Sequence, residues 1–331
     1  DKLGDFMLAW PAYALLKQQY PDISVIALVP GYTAPMAELC PWIDEVMIDE
    51  RRTPAVRDIA NLAGKIRKAR IDASISLFSE TRTALSLWLA GVPMRFGPAT
   101  KLAQLFLNNR LLQKRSESAK PEHEYNVDLV RFFIQRHDDT PAPLPGPPYL
   151  TFSQDSTRTL KQQYYQQHGI SSDCRLVFIH PGSGGSAINL SLLQFAQVAR
   201  TLAQSSNTHF VITAGPGELE AAEALSQLMA GVGHSIYHST RGLVSFSEFI
   251  AICDLFISGS TGPLHIAGAL NAPTAAFYPA RKSATALRWQ TLNEDGRRVV
   301  FSPEKYTGED DMKTIDAESC AVQISAFLQQ V

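Results

Sequence analysis

Leu255 to Leu270 reads LFISGSTGPLHIAGAL. Leu255-Phe256-Ile257 is an apolar run of buried-strand type, and Ser258 to Gly262 is a small, polar turn. Pro263 opens a helical pattern whose apolar positions are Leu264, Ile266, Ala267 and Leu270. Proline suits the first helical position, because its missing N–H would be an orphan donor there. Ser260, Thr261 or Gly262 can serve as the N-cap. The helix start then offers free N–H groups and the positive end of the dipole, which together favour an anion. His265, in the first turn, can reach the same spot.

Neighbouring strands end in similar loops. Leu176–Ile179 runs into His180-Pro181-Gly182-Ser183-Gly184-Gly185-Ser186, and Ser191 then caps a helix with Gln194 as its capping-box partner. His209–Thr213 runs into Ala214-Gly215-Pro216-Gly217-Glu218 and a helix to Ala230; Thr274–Phe277 runs into Tyr278-Pro279-Ala280-Arg281-Lys282. Arg298–Phe301 reads as a further strand, and Ala317–Val331 as an amphipathic last helix. In an open parallel sheet, the loops at the strand C-termini share one edge. They gather backbone N–H groups, hydroxyls, the cations Arg281 and Lys282 and the carboxylate of Glu218, a set suited to the diphosphate and ribose of a nucleotide. Gly182 to Ala187 also fits G-x-G-x-x-A. A dinucleotide fold, however, needs an acid about 20 residues further on, and Glu218 lies 34 residues past Gly184. No G-x-x-x-x-G-K-[ST] is present, which excludes a P-loop NTPase.

The first half alternates too. Phe6–Tyr20 reads as one helix, Ile23–Val29 as a buried strand, Ala34–Leu39 as a helix and Glu45–Ile48 as a strand. Pro54–Arg70 is a helix carrying Arg57, Lys65, Arg67, Lys68 and Arg70. Ile71–Phe78 is a strand and Thr81–Ala90 a helix. This order means an α/β fold with parallel sheets. Asp1 to Asp5 resembles the turn after a first strand, so a strand is expected before Asp1. Asp5, at a helix start, serves either as a cap or as a general base, with the helix dipole keeping its pKa low. Lys101, Arg110, Lys114, Arg115 and Lys120 face one acid, Glu117, over that span. They make a solvated face or a docking surface for an anionic acceptor. Pro141–Tyr149 holds five prolines in nine residues, too many for helix or sheet. The expected domains are therefore 1–155 and 156–331, with the last helix free to pack back on the first.

A net charge of −2 argues against a nucleic-acid partner, and the four cysteines are dispersed with no CxxC pair. That suits a reducing compartment and no zinc site. Apolar stretches are of strand length, so neither a transmembrane helix nor a signal peptide is expected.

In their order, LGDFMLAWPAYALLKQQYP, HPGSGGSA, TAGPGELE and STGPLHIAGALNAPTAAFY resemble motifs of the bacterial lipopolysaccharide heptosyltransferases, the ADP-heptose-using glycosyltransferase family 9. The resemblance spans nearly the whole chain. It implies a GT-B fold, two Rossmann-like doubly wound parallel-sheet domains facing across a cleft, with donor nucleotide on the second and acceptor on the first. It implies Asp5 as catalytic base, Ser183, Gly184 and Gly185 as the diphosphate loop, and Glu218 as the ribose-binding acid. Ser260, Thr261, Gly262 and His265 would grip the donor, with Lys2, Arg57 and Lys101 toward the acceptor. The implied reaction is inverting transfer of heptose from ADP-heptose to a Kdo or heptose of the lipopolysaccharide core precursor, without metal or other cofactor. The implied setting is cytoplasmic, peripheral at the inner face of the inner membrane of a Gram-negative bacterium. Two positions depart from the family pattern: Ile188 stands where a lysine is common, and Ser260 replaces the acid of D-T-G. Arg281 and Lys282 could supply the missing charge. Two other readings remain at this point: another GT-B sugar-nucleotide enzyme such as an epimerase, and a catalytically silent nucleotide-sugar-binding protein.

Overall fold

The computed structural model describes residues 2–51, 55–184, 188–304 and 311–331. They form two compact units, Asp1–Pro145 and Gly146–Val331, and the division falls inside the proline-rich segment.

The first unit runs α1 (Leu3–Met7), α2 (Trp10–Gln19), β1 (Ile26–Val29), α3 (Ala34–Glu38), β2 (Glu45–Ile48), α4 (Ala55–Lys68), β3 (Ala73–Ile75), α5 (Thr81–Ala90), β4 (Met94–Pro98), β5 (Asn109–Leu111) and α6 (Glu122–Gln135). A 3₁₀ turn, Leu102–Phe106, precedes β5. β1 pairs in parallel with β2, and β4 in parallel with both β3 and β5. The expected single helix over Phe6–Tyr20 is two helices. Pro11, near the start of α2, has no N–H for the helical ladder, so the chain breaks before it. The strand expected over Ile71–Phe78 shrinks to Ala73–Ile75, while Ile71 and Leu77 pack into two separate clusters. α6 closes this unit: Val127, Val130 and Ile134 bury against Ala12 and Leu15 of α2. Asn126 Nδ2 donates to Leu8 O at 3.1 Å, satisfying a carbonyl at the α1–α2 break.

The second unit runs α7 (Gln154–His168), β6 (Arg175–His180), α8 (Leu192–Ser205), β7 (Thr208–Ala214), α9 (Leu219–Leu228), β8 (His234–His238), α10 (Gly242–Ile250), β9 (Leu255–Gly259), α11 (Gly262–Ala269), β10 (Thr274–Phe277), β11 (Arg298–Phe301) and α12 (Ala317–Leu328). The sheet order is β11-β10-β9-β6-β7-β8, and every pairing is parallel. Helices must then cover both faces, which explains why Leu176 to Ile179 and Leu255 to Ile257 are wholly buried. The Ser191 capping box on α8 forms as expected. The last helix packs within its own unit. Cys320, Ala321, Ile324 and Leu328 join the core around Phe195 and Leu202 of α8, and Gln194 Nε2 donates to Met312 O at 2.9 Å and Ile315 O at 3.1 Å.

Candidate active site

β6 is flanked by β9 on one side and β7 on the other. The chain leaves β6 toward β7 and leaves β9 toward β10, so the loops after β6 and β9 part in opposite directions. Such a switch point opens a crevice at the C-terminal ends of the two strands. Side chains fix both lips. Ser258 Oγ, at the end of β9, donates to His180 O at 2.9 Å and lies 3.1 Å from Thr261 Oγ1. Asn189 Nδ2 donates to Pro181 O at 3.1 Å and its Oδ1 accepts from Leu190 N at 3.0 Å. That Asn189 oxygen lies 2.6 Å from where a Cβ on residue 259 would sit, so only glycine at 259 lets the lips approach this closely.

α11 starts at Gly262 with Thr261 at its N-cap position, so Pro263 is the second helical residue rather than the first. The Thr261 hydroxyl turns toward Ser258 and makes no capping bond, leaving the helix-start N–H groups to the crevice. Ser260 is half-buried, and His265 is buried.

The loop after β7 joins the loop after β6 through one carboxylate. Glu218 accepts from Gly215 N at 2.9 Å and from Gly184 N at 3.1 Å. A Cβ on Gly182 would fall within 3.0 Å of all three carboxyl atoms of Glu218, so the carboxylate is seated directly on the Gly182 backbone. His180 Nε2 stands 3.5 Å from Glu218 Oε2, and its Nδ1 lies 3.0 Å from Thr213 Oγ1. Burial pushes the His180 pKa down, with the Glu218 charge opposing. Ser183 is half-buried and Gly184 exposed. Gly185 lies outside the described residues. Ile188 packs against the apolar core, so its position supplies structure and no charge. Arg281 and Lys282 are exposed just past β10.

In the first unit, Asp5 stands in the first turn of α1, where its carboxyl accepts a hydrogen bond from the Lys2 backbone at the N-cap. Its pKa is raised, first by burial and then by the charge of Glu122, with Lys2 acting the other way. This corrects the expectation of a low value: a five-residue helix gives little dipole, and desolvation prevails. Lys2 is exposed at the N-cap of α1, Arg57 is exposed on α4, and the Lys101 ammonium stands 5.3 Å over the Phe78 ring. The basic run divides. Arg115 binds Glu122 at 2.5 Å and Lys120 binds Asp128, whereas Lys101 and Arg110 are exposed. Arg82 had no signal in the sequence, since an arginine at a helix start usually faces water. Here its guanidinium takes Asp49 in two bonds of 2.9 and 2.7 Å and Asp58 through Nε. Beside this triad is a cavity of about 460 Å³, lined also by Asn61, Lys65 and Lys68.

A model of glycosyltransferase family 9 (heptosyltransferase) matches residues 59–306. A Haemophilus influenzae Rd protein described as a glycosyltransferase is 41% identical over 332 residues, covering 100% of this chain and 95% of its own length. Among solved structures, E. coli ADP-heptose lps heptosyltransferase II superposes with a TM-score of 0.78 at 22% identity, covering 100% of this chain and 97% of that one. E. coli heptosyltransferase WaaC with ADP gives 0.72 at 16% identity, covering 99% and 97%. The likeness shows the fold as GT-B, with two Rossmann-like domains.

Proposed function

Because the chain belongs to glycosyltransferase family 9, and so is a glycosyltransferase, we propose that it moves a heptose from ADP-heptose to a Kdo or heptose of the lipopolysaccharide inner core, inverting the anomeric carbon. The observation that carries this reading is the β6/β9 switch point, where Glu218, the loop glycines and the start of α11 are fastened together. In this reading the α11 N–H groups, Ser260 and Thr261 take the diphosphate, Glu218 takes the ribose, and His265 stands by the sugar. A fold relative solved with ADP supports adenosine diphosphate as the leaving group.

Asp5 removes the acceptor hydroxyl proton as the oxygen attacks the anomeric carbon. The bond from that carbon to the phosphate oxygen breaks, and ADP leaves with its electron pair. Burial raises the Asp5 pKa, which brings its proton affinity nearer the working pH and makes it a stronger base. Arg281 and Lys282 supply the positive charge that Ile188 does not. The reading takes no metal or other cofactor. No described helix is long and apolar enough to cross a membrane, and the enzyme meets its acceptor at the inner face of the inner membrane of a Gram-negative cell. The test is incubation with ADP-heptose and inner-core acceptors that end in Kdo or in heptose. ADP release with a matching gain in acceptor mass is expected; no release with any core acceptor, or faster use of a UDP- or GDP-sugar, overturns the proposal.

A further inference from the structure

The outer face of the 3₁₀ turn Leu102–Phe106 and the end of α5 carries large apolar side chains without cover. In a 3₁₀ turn, residues three apart lie on one face. Ala103 and Phe106 turn toward α5, packing with Ala84 and Leu107. Leu102 and Leu105 therefore share the opposite face, 69% and 70% exposed. Trp88, whose ring is 6.1 Å from Phe106, and Leu89 continue the exposed apolar surface. Exposed leucines taken singly are ordinary; a contiguous group is not.

Charge singles out the occupant. No Asp or Glu occurs between Glu80 and Glu117, while Arg82, Arg95, Lys101, Arg110, Lys114 and Arg115 all do. Arg82 and Arg115 are spent on buried carboxylates, and Arg95 on the carbonyls of Phe106 and Val92. Lys101 and Arg110 stay exposed, and Lys114 meets Glu117 at the surface. The apolar face thus lies in an acid-free, cationic stretch, which repels a second copy of itself and attracts an anionic surface. We propose that this face docks on an anionic lipid bilayer, Leu102, Leu105 and Trp88 entering the headgroup region and Lys101 and Arg110 meeting lipid phosphates. The proposal rests on the reading that the acceptor is presented in a membrane.

Co-sedimentation with phosphatidylcholine vesicles, with and without phosphatidylglycerol, tests it. The chain should bind only the anionic vesicles, more weakly at high salt, with a blue shift of Trp88 emission that Trp88→Phe removes. Leu102→Ser/Leu105→Ser should bind at least about tenfold more weakly with its circular dichroism unchanged, since neither side chain is packed. Lys101→Ala should lose about fivefold. Equal vesicle binding by parent and leucine variant, no binding by the parent, or a parent dimer that the leucine variant dissolves would each overturn the proposal. Transfer to a detergent-free, soluble acceptor is unchanged in the Leu102→Ser/Leu105→Ser and Trp88→Phe variants, so failure here is distinguishable from failure of the transferase reading.

Discussion

Gly182→Ala tests whether the Glu218 carboxylate has to sit on the loop backbone. The added carbon falls within 3.0 Å of every carboxyl atom, whereas relaxed contact needs about 3.5 Å or more. The carboxylate must therefore move on the order of 1 Å, which ends its bonds to Gly184 N at 3.1 Å and Gly215 N at 2.9 Å. Hydrogen bonds to a charged group are worth about 1.5–3 kcal/mol each. Because Glu218 is 17% exposed, water recovers part of this, and a net loss of about 2–3 kcal/mol is expected. If that placement is the one ADP uses, affinity falls roughly 30- to 150-fold. Calorimetry with ADP, beside thermal unfolding, reads both effects. Glu218→Ala removes the obstacle, so the double variant should bind ADP no worse than Glu218→Ala alone, the non-additivity of groups in contact. Fully additive losses, or Gly182→Ala with parental affinity and melting, would refute the reasoning.

Asp5→Asn should abolish transfer while leaving ADP affinity intact, as followed by ADP release and by calorimetry. Burial holds the Asp5 pKa above the ordinary 3.8, so ionising it costs folded stability as pH rises through that range; the Asn variant should be at least as stable at neutral pH, the gap closing in acid. For the same reason the acid limb of kcat/KM should lie above that of an ordinary carboxylate, and a limb near 3.8 would count against the assignment. Arg281→Ala/Lys282→Ala should lower kcat roughly tenfold or more with donor affinity little changed; equal turnover would return both residues to solvent. Asp58→Ala should cost about 1.5–3 kcal/mol in urea unfolding, since Arg82 keeps Asp49 but loses a charged bond.

The second unit was easier to read in sequence than the first, for a physical reason. Its central strands are buried on both faces, so Leu255–Gly259 and Thr274–Phe277 stand out as apolar runs between small-residue turns. β8, His-Ser-Ile-Tyr-His, gave no such run, because an edge strand is only half covered. β4 and β5 were missed likewise: Asn109–Leu111 is short, and Met94–Pro98 contains glycine and proline. At the site, residue types were legible but their couplings were not. Glu218 stands out as an acid after a strand, yet neither its seat on Gly182 nor the neighbouring His180 can be read from spacing. The raised pKa of Asp5 is not legible locally either, since Glu122, far along the chain, joins burial in raising it. The Arg82 triad depends on three elements meeting, which no local pattern encodes.

The placement of β6 between β7 and β9 also bears on how the chain is made. Val177 of β6 pairs with Leu255 of β9, partners separated by 78 positions, and a parallel sheet offers no hairpin to shorten that wait. β6, β7 and β8 can assemble as soon as they emerge from the ribosome. Counted from the emergence of β6 itself, one of its edges stays open until β9 arrives, roughly 4–16 s later at about 5–20 residues per second. That edge belongs to an apolar strand, Arg-Leu-Val-Phe-Ile-His, the kind of surface on which nascent chains aggregate. The same central position that opens the crevice in the finished sheet thus makes co-translational folding of this unit the stage at which a chaperone would count most.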